Sequence, residues 1–168
     1  MMHRTLIIIL FVVLSYVTCF GQRSFKGLTP GQSTKDDVEK VLGQPINKLS
    51  ETLYEYQPLE YNDVYNTKPR TAKIFVQYSK GSFVMDRIEW VSPSPEFYLD
   101  NADFLRVINL NLPDWDKTIV AVKDKWVTYY AGSYSVVTTS CPGGSGLCRI
   151  AYYSKELFES AVSTLKKP

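Results

Sequence analysis

The sequence predicts an α+β protein, with helices packed on antiparallel β-sheet as two tandem α-β-β-β units and a C-terminal helix. Three observations lead there. A capped helix with a hard stop at residues 34–42 has a counterpart near residues 101–109. Each copy is followed by strand-like alternation of apolar and polar residues, broken by turn signals. Residues 155–167 then carry apolar side chains at helical spacing.

The first helix belongs to the stretch Leu28 to Pro45. Pro30-Gly31 is a turn dipeptide. Ser33 or Thr34 can cap the helix, and Asp36 and Asp37 sit in its first turn, where the macrodipole favours negative charge. Val38, Val41 and Leu42 recur at helical spacing, so an apolar stripe faces a core. Gly43 suits a left-handed exit, and Pro45 prevents continuation. Leu53 to Gln57 alternates as a strand that Pro58 ends. Residues 58–70 read as a long loop whose Tyr61 and Tyr65 pack back on the domain. Thr71 to Ser79 is a strand with Ile74, Val76 and Tyr78 on one face. Lys80-Gly81 makes a tight turn. Ser82 to Val91 returns, with Val84, Ile88 and Trp90 on one face and Phe83, Met85 and Val91 on the other. Asp86 interrupts this pattern and marks either a bulge or a sheet edge.

Ser92-Pro-Ser-Pro95 is the linker candidate, dividing a first unit (22–92) from a second (93–168). Asp103 to Asn109 aligns without gaps on Asp37 to Gly43, with Phe104, Val107 and Ile108 in place of Val38, Val41 and Leu42. Asn109 replaces Gly43 and shares its tolerance of the left-handed conformation. Asn101 is the second cap. Residues 114–125 have no assigned structure. Lys125 to Tyr130, Ser133 to Thr139 and Cys148 to Tyr153 are strand-like. Leu157, Phe158, Ala161, Val162 and Leu165 form the stripe of the last helix, which reads as core packing rather than membrane binding.

Length and composition bound the function. With 168 residues, the chain forms one ordinary domain or two small ones, and 45% hydrophobic content can build a core. A net charge of +2 argues against nucleic acid as a partner. Residues 1–21 read as a signal peptide. A short basic start precedes the apolar run Leu6 to Leu14, which is too short for a good membrane span. Cys19 and Gly21 suit ordinary cleavage before Gln22. The alternative is lipidation of Cys19, for which Tyr16-Val-Thr18 is a poor preceding motif. The chain is therefore expected to be exported to the periplasm or outside the cell, with outer-membrane attachment only if Cys19 is acylated. His3, the single histidine, falls in this segment. A mature chain without imidazole excludes histidine-dependent triads, histidine-ligated zinc and histidine acid–base chemistry. No metal or cofactor is expected.

Cys141-Pro-Gly-Gly-Ser-Gly-Leu-Cys148 is the most specific local signal. Cysteines at both mouths of a glycine-rich hairpin loop in an exported chain should oxidise to a structural staple, worth roughly 2–3 kcal/mol. The spacing is not that of a redox motif, and the loop lacks the Lys-Ser/Thr of a phosphate loop. The carboxylates of Asp36, Asp37, Glu55, Glu60, Asp86 and Glu89 show no pairing that supports a hydrolase. What remains is aromatic. Among 12 Tyr and 3 Trp, Tyr54, Tyr56, Trp90, Trp126, Tyr129, Tyr130, Tyr134 and Tyr152 fall on proposed strands. Neighbours such as Tyr129-Tyr130 must face opposite sides, so an outer face rich in these rings is a candidate partner-binding platform. The competing and favoured reading is that the rings pack in the core or lie under loops or the C-terminal helix.

The pattern Leu28, Gly31, Ser33, Asp37, Val38, Leu42, Gly43, Pro45, then Tyr54 and Tyr56, then the hairpin Lys73 to Trp90, resembles the SmpA/OmlA family, known also as BamE. The likeness covers residues 28–91. It implies a helix pair on a three-stranded antiparallel sheet and no catalytic residues. A duplicated version is similar to the β-lactamase-inhibitor protein fold, in which two units form one long sheet that grips a partner enzyme. The expected function is thus non-catalytic protein binding in the envelope or extracellular space. The alternative is an outer-membrane lipoprotein that assists β-barrel assembly.

Overall fold

The computed structural model describes residues 24–63, 66–94, 98–110, 118–123, 126–131, 135–141 and 146–165. The expected signal segment, Cys19, Tyr65 and Tyr134 lie outside them.

Helix α1 spans Lys35–Leu42, and Thr34 rather than Ser33 is its cap. Thr34 accepts from the Asp37 amide at 3.3 Å, while its own amide donates to the Asp37 carboxylate at 3.0 Å. This reciprocal box satisfies two orphan donors. The Thr34 backbone amide, then its hydroxyl, hold the Asp37 carboxyl below its usual range. Ser33 instead accepts the Thr29 amide at 2.9 Å and closes the turn before the helix. Gly43 exits at φ 80. Val38 is fully buried and Leu42 packs on the core, but Val41 is exposed. Leu42 lies roughly 40° around the helix from Val38 and Val41 roughly 60° on its other side, so a short helix lying on a sheet buries the first pair.

The strands are β1 (Asn47–Lys48), β2 (Leu53–Asp63), β3 (Asn66–Tyr78), β4 (Met85–Val91), β5 (Thr118–Lys123), β6 (Trp126–Ala131), β7 (Val136–Ser140) and β8 (Leu147–Tyr153). They form one antiparallel sheet in the order β1-β2-β3-β4-β8-β7-β6-β5. Residues 58–63 and 66–70 are thus strand and not loop. Pro58 does not end β2, because the register steps from Tyr56 opposite Ile74 to Leu59 opposite Ala72. Gln57 and Pro58 together face Lys73, and at such a bulge a missing N–H breaks no ladder bond. Tyr61 packs back as expected, its ring 4.8 Å from Phe104.

β4 starts at Met85, three residues later than the alternation suggests. Asp86 is a bulge, since Tyr78 pairs with Met85 and Gln77 with Arg87. The extra residue returns Met85 to the face of Ile88 and Trp90, and all three are buried in the same core. The segment 114–125 contains β5.

Helix α2 (Ala102–Val107) is capped by Asn101, whose side chain accepts from Asp103 and Phe104 amides at 2.9 and 3.4 Å. The aligned helices agree in burial. Val38 and Phe104 are both 0% exposed, and Val41 and Val107 are 37% and 38% exposed. Asn109, aligned on Gly43, has φ 58. Helices α1 and α2 cover one face of the sheet, over Tyr56, Ile74, Trp90, Ile150 and Tyr152. Helix α3 (Lys155–Leu165) covers part of the other, where Leu157, Phe158 and Ala161 pack on Val137, Ala151 and Tyr153.

The hairpins β3–β4 and β7–β8 share one register at a displacement of 62 residues. Val76–Ile88 matches Thr138–Ile150, and Gln77–Arg87 matches Thr139–Arg149. The bulge recurs, with Tyr78–Met85 answering to Ser140–Leu147. The turns close alike, Ser79 N–H to Val84 O at 2.8 Å and Cys141 N–H to Gly146 O at 2.7 Å. Where the last strands meet, Ser92 N–H donates to Cys148 O and Ser154 N–H to Asp86 O.

Cys141 and Cys148 form the expected disulfide, with Cα atoms 5.0 Å apart. The equivalent pair in the first hairpin is Ser79 and Asp86, which hydrogen-bond at 2.6 Å. One scaffold position is closed covalently in one half and by a charge-assisted hydrogen bond in the other. Replacing both Ser79 and Asp86 by cysteine is therefore expected to give a second hairpin disulfide, seen as loss of the thiol hydrogens in the intact mass. Thiols that remain free in air would refute the equivalence. Replacing Cys141 and Cys148 by alanine should lower stability by about 2 kcal/mol, the low end for such a short closed loop. Urea unfolding measures it.

Candidate functional site: the open face of the first hairpin

Of the two readings of the strand aromatics, core packing and not an outer platform holds for Tyr54, Tyr56, Trp90 and Tyr152. All four are buried in the core beneath α1 and α2. Alternation puts them on the helix-covered face, and rings of that size fill the space between helix and sheet. Tyr54 meets Tyr78 edge-on at 5.6 Å, and the Tyr56 and Tyr78 hydroxyls hydrogen-bond at 2.6 Å. Burial pushes both of these phenols above their ordinary pKa. The side chains of Trp126, Tyr129 and Tyr130 lie outside the described residues, as does Tyr134.

The opposite face of β2–β4 is different. Register places Leu53, Gln77 and Arg87 in one cross-strand row. Glu55, Phe75 and Glu89 form the next, and Lys73, Val91 and Arg149 a third. Among the described residues no helix covers this part of the sheet, and Thr71 and Lys73 are exposed. Phe75, Gln77 and Val91 are half-buried.

Glu89 organises the chemistry of this face. It lies on β4, and only 9% of its side chain is exposed. Its Oε2 accepts from Arg149 Nη2 at 2.6 Å, across the junction between β4 and β8. Arg87 Nε stands 3.3 Å from the same oxygen, but at an angle that makes an ion pair without a hydrogen bond. Burial opposes the charge of Arg149, yet the Glu89 carboxylate outweighs it and holds the guanidinium above its ordinary pKa. The Arg87 guanidinium also sits 5.8 Å from the Tyr153 ring centre. Lys73 and Glu55 pair at 3.6 Å beside the triad.

Two guanidiniums thus share one carboxylate. Each carries five N–H donors, and most of these are unspent among the described residues. The centre retains one positive charge next to the apolar surface of Phe75 and Val91. Such a surface can hold a carboxylate and an apolar group together. No catalytic step follows from it.

No protein-family model matches the chain, and neither curated proteins nor solved structures gave a match. The functional reading rests on the site itself. Sequence reasoning missed that site because Arg149 is 60 residues from Glu89. The visible signal was Arg87-x-Glu89, alternating charges on a strand otherwise read for its apolar side.

Proposed function

We propose that the chain is an exported, non-catalytic protein-binding module, built from two tandem α-β units, that meets its partner on the open face of β2–β4. The observation that carries this reading is the shared Glu89 carboxylate between Arg87 and Arg149, set beside half-buried Phe75 on a sheet face that no described helix covers. Arginine and aromatic residues supply much of the binding energy in protein interfaces, particularly where both are already partly desolvated. A rigid antiparallel sheet keeps them in register without further ordering on association.

The tandem reading is supported by the common register of the two hairpins, their shared bulge and the matching burial of the aligned helices. It is also the arrangement that the SmpA/OmlA-like motif implies when duplicated. Joining the units through β4 and β8 gives one long sheet, an extended surface for gripping a partner.

A photo-crosslinking residue placed at Thr71 or Gln77 should trap one protein partner in the exporting cell, while one at Val41 or Ile46 on the helix side should not. Crosslinks from the helix side alone, or from neither, would overturn the assignment. Intact mass of the mature chain separates the two envelope readings. An acylated Cys19 terminus points to a membrane-held assembly factor, and a Gln22 terminus to a soluble binder.

A further inference from the structure

The two halves of the sheet differ in what lies on the face opposite α1 and α2. In the second half, α3 lies on Val137, Ala151 and Tyr153 through Leu157, Phe158 and Ala161. The shared register gives each bed residue a counterpart in the first half. Phe75 stands for Val137, Glu89 for Ala151 and Val91 for Tyr153. The register and bulge of the hairpin that receives a helix in one half are thus repeated beside it, with nothing described on them. The chain carries its own example of what this surface takes.

We propose that the open face receives an amphipathic helix of the protein partner, laid in the position that corresponds to α3 and presenting a carboxylate to Arg87 and Arg149. This rests on the protein-binding reading above and specifies its partner. Phe75 and Val91 supply the apolar ends of the bed, as Val137 and Tyr153 do for α3. The middle differs in the way that sets specificity. Where α3 meets the small Ala151, the incoming helix meets Glu89 with its two arginines. Their single shared carboxylate leaves one positive charge and spare donors in a setting that is already partly dry. An acidic residue in the middle of the helix's apolar stripe satisfies them with charge-assisted hydrogen bonds. A lysine there meets like charge, and a glutamine gains hydrogen bonds without charge.

The test uses one stapled amphipathic peptide with a leucine–alanine stripe, made with Glu, Gln or Lys at its centre. An unstapled, proline-containing peptide of the same composition represents an extended ligand. Amide shifts of the full mature protein report the location, and titration reports the affinity. The Glu peptide is expected to move β3 and β4 amides around Phe75 and Val91 and to bind about tenfold tighter than the Lys peptide. The extended peptide should be weaker by a similar factor. Phe75→Asp should abolish binding, and Arg149→Gln should erase the preference for Glu, with thermal unfolding used to verify that each variant folds.

Equal binding of the Lys or the extended peptide overturns the proposal, as do shifts centred on α1 and α2 or no binding at all. If crosslinks from Thr71 and Gln77 persist while the helical peptides fail, the face binds protein and the helix is wrong. If those crosslinks are absent as well, the binding reading itself is wrong.

Discussion

Replacing Trp90 by alanine is expected to cost about 3–5 kcal/mol, the range for deleting a large buried aromatic side chain. Trp90 is 0% exposed on β4, the strand through which the first half of the sheet joins the second. Its ring meets Phe25 at 5.1 Å and Phe104 at 6.5 Å, both edge-on, and Tyr152 of β8 at 5.0 Å. It therefore contacts the segment before α1, helix α2 and the neighbouring half of the sheet together. Its loss leaves a cavity that none of the three can fill without leaving the others. Urea unfolding of the variant should show one transition at lower urea, coincident by far-UV circular dichroism and by tyrosine fluorescence. Two separated transitions would mean that the halves are independent domains and that Trp90 serves only one of them. Trp90→Phe should cost clearly less, because the buried indole N–H has no hydrogen-bond partner to lose.

The same residue shows why part of the fold could be read in advance. Alternation gave one strand the apolar face Ile74, Val76 and Tyr78, all buried, and the returning strand the face Val84, Ile88 and Trp90, of which Ile88 and Trp90 are buried and Val84 is half-buried. Local chemistry also fixed the helix ends, since the Thr34–Asp37 box, Gly43, Asn101 and Asn109 act through residues within a turn of themselves. Pro58 misled for the opposite reason. Its effect depends on the partner strand, and a bulge opposite Lys73 absorbs it. The choice between an aromatic platform and an aromatic core turned on a question that period-2 patterning leaves open. Alternation separates two faces but does not say which one the helices cover. Tyr54, Tyr56, Trp90 and Tyr152 lie under α1 and α2. The charged residues between them in sequence therefore face outward and make the site.

Replacing Glu89 by leucine is expected to destabilise the protein by about 3 kcal/mol and to weaken capture of the partner only as far as Arg87 and Arg149 lose the carboxylate that holds them in position. Removing one member of a buried ion pair is costly because the other charges stay behind without compensation. Arg87, with 17% of its side chain exposed, bears most of that penalty, whereas Arg149 at 40% can turn toward water. The full cost of stranding a buried charge therefore does not apply.

A triple variant, Glu89→Leu with Arg87→Met and Arg149→Leu, separates the two effects. Apolar replacement of an entire buried ionic cluster is often neutral or stabilising, so this variant should unfold at nearly the same urea concentration as the unaltered chain. Crosslinking from Thr71 and Gln77 should nevertheless be lost. A stable variant that still captures the partner would show that the cluster is not what recognises it. A stable variant that captures nothing would show that β4 and β8 carry the three charges for recognition.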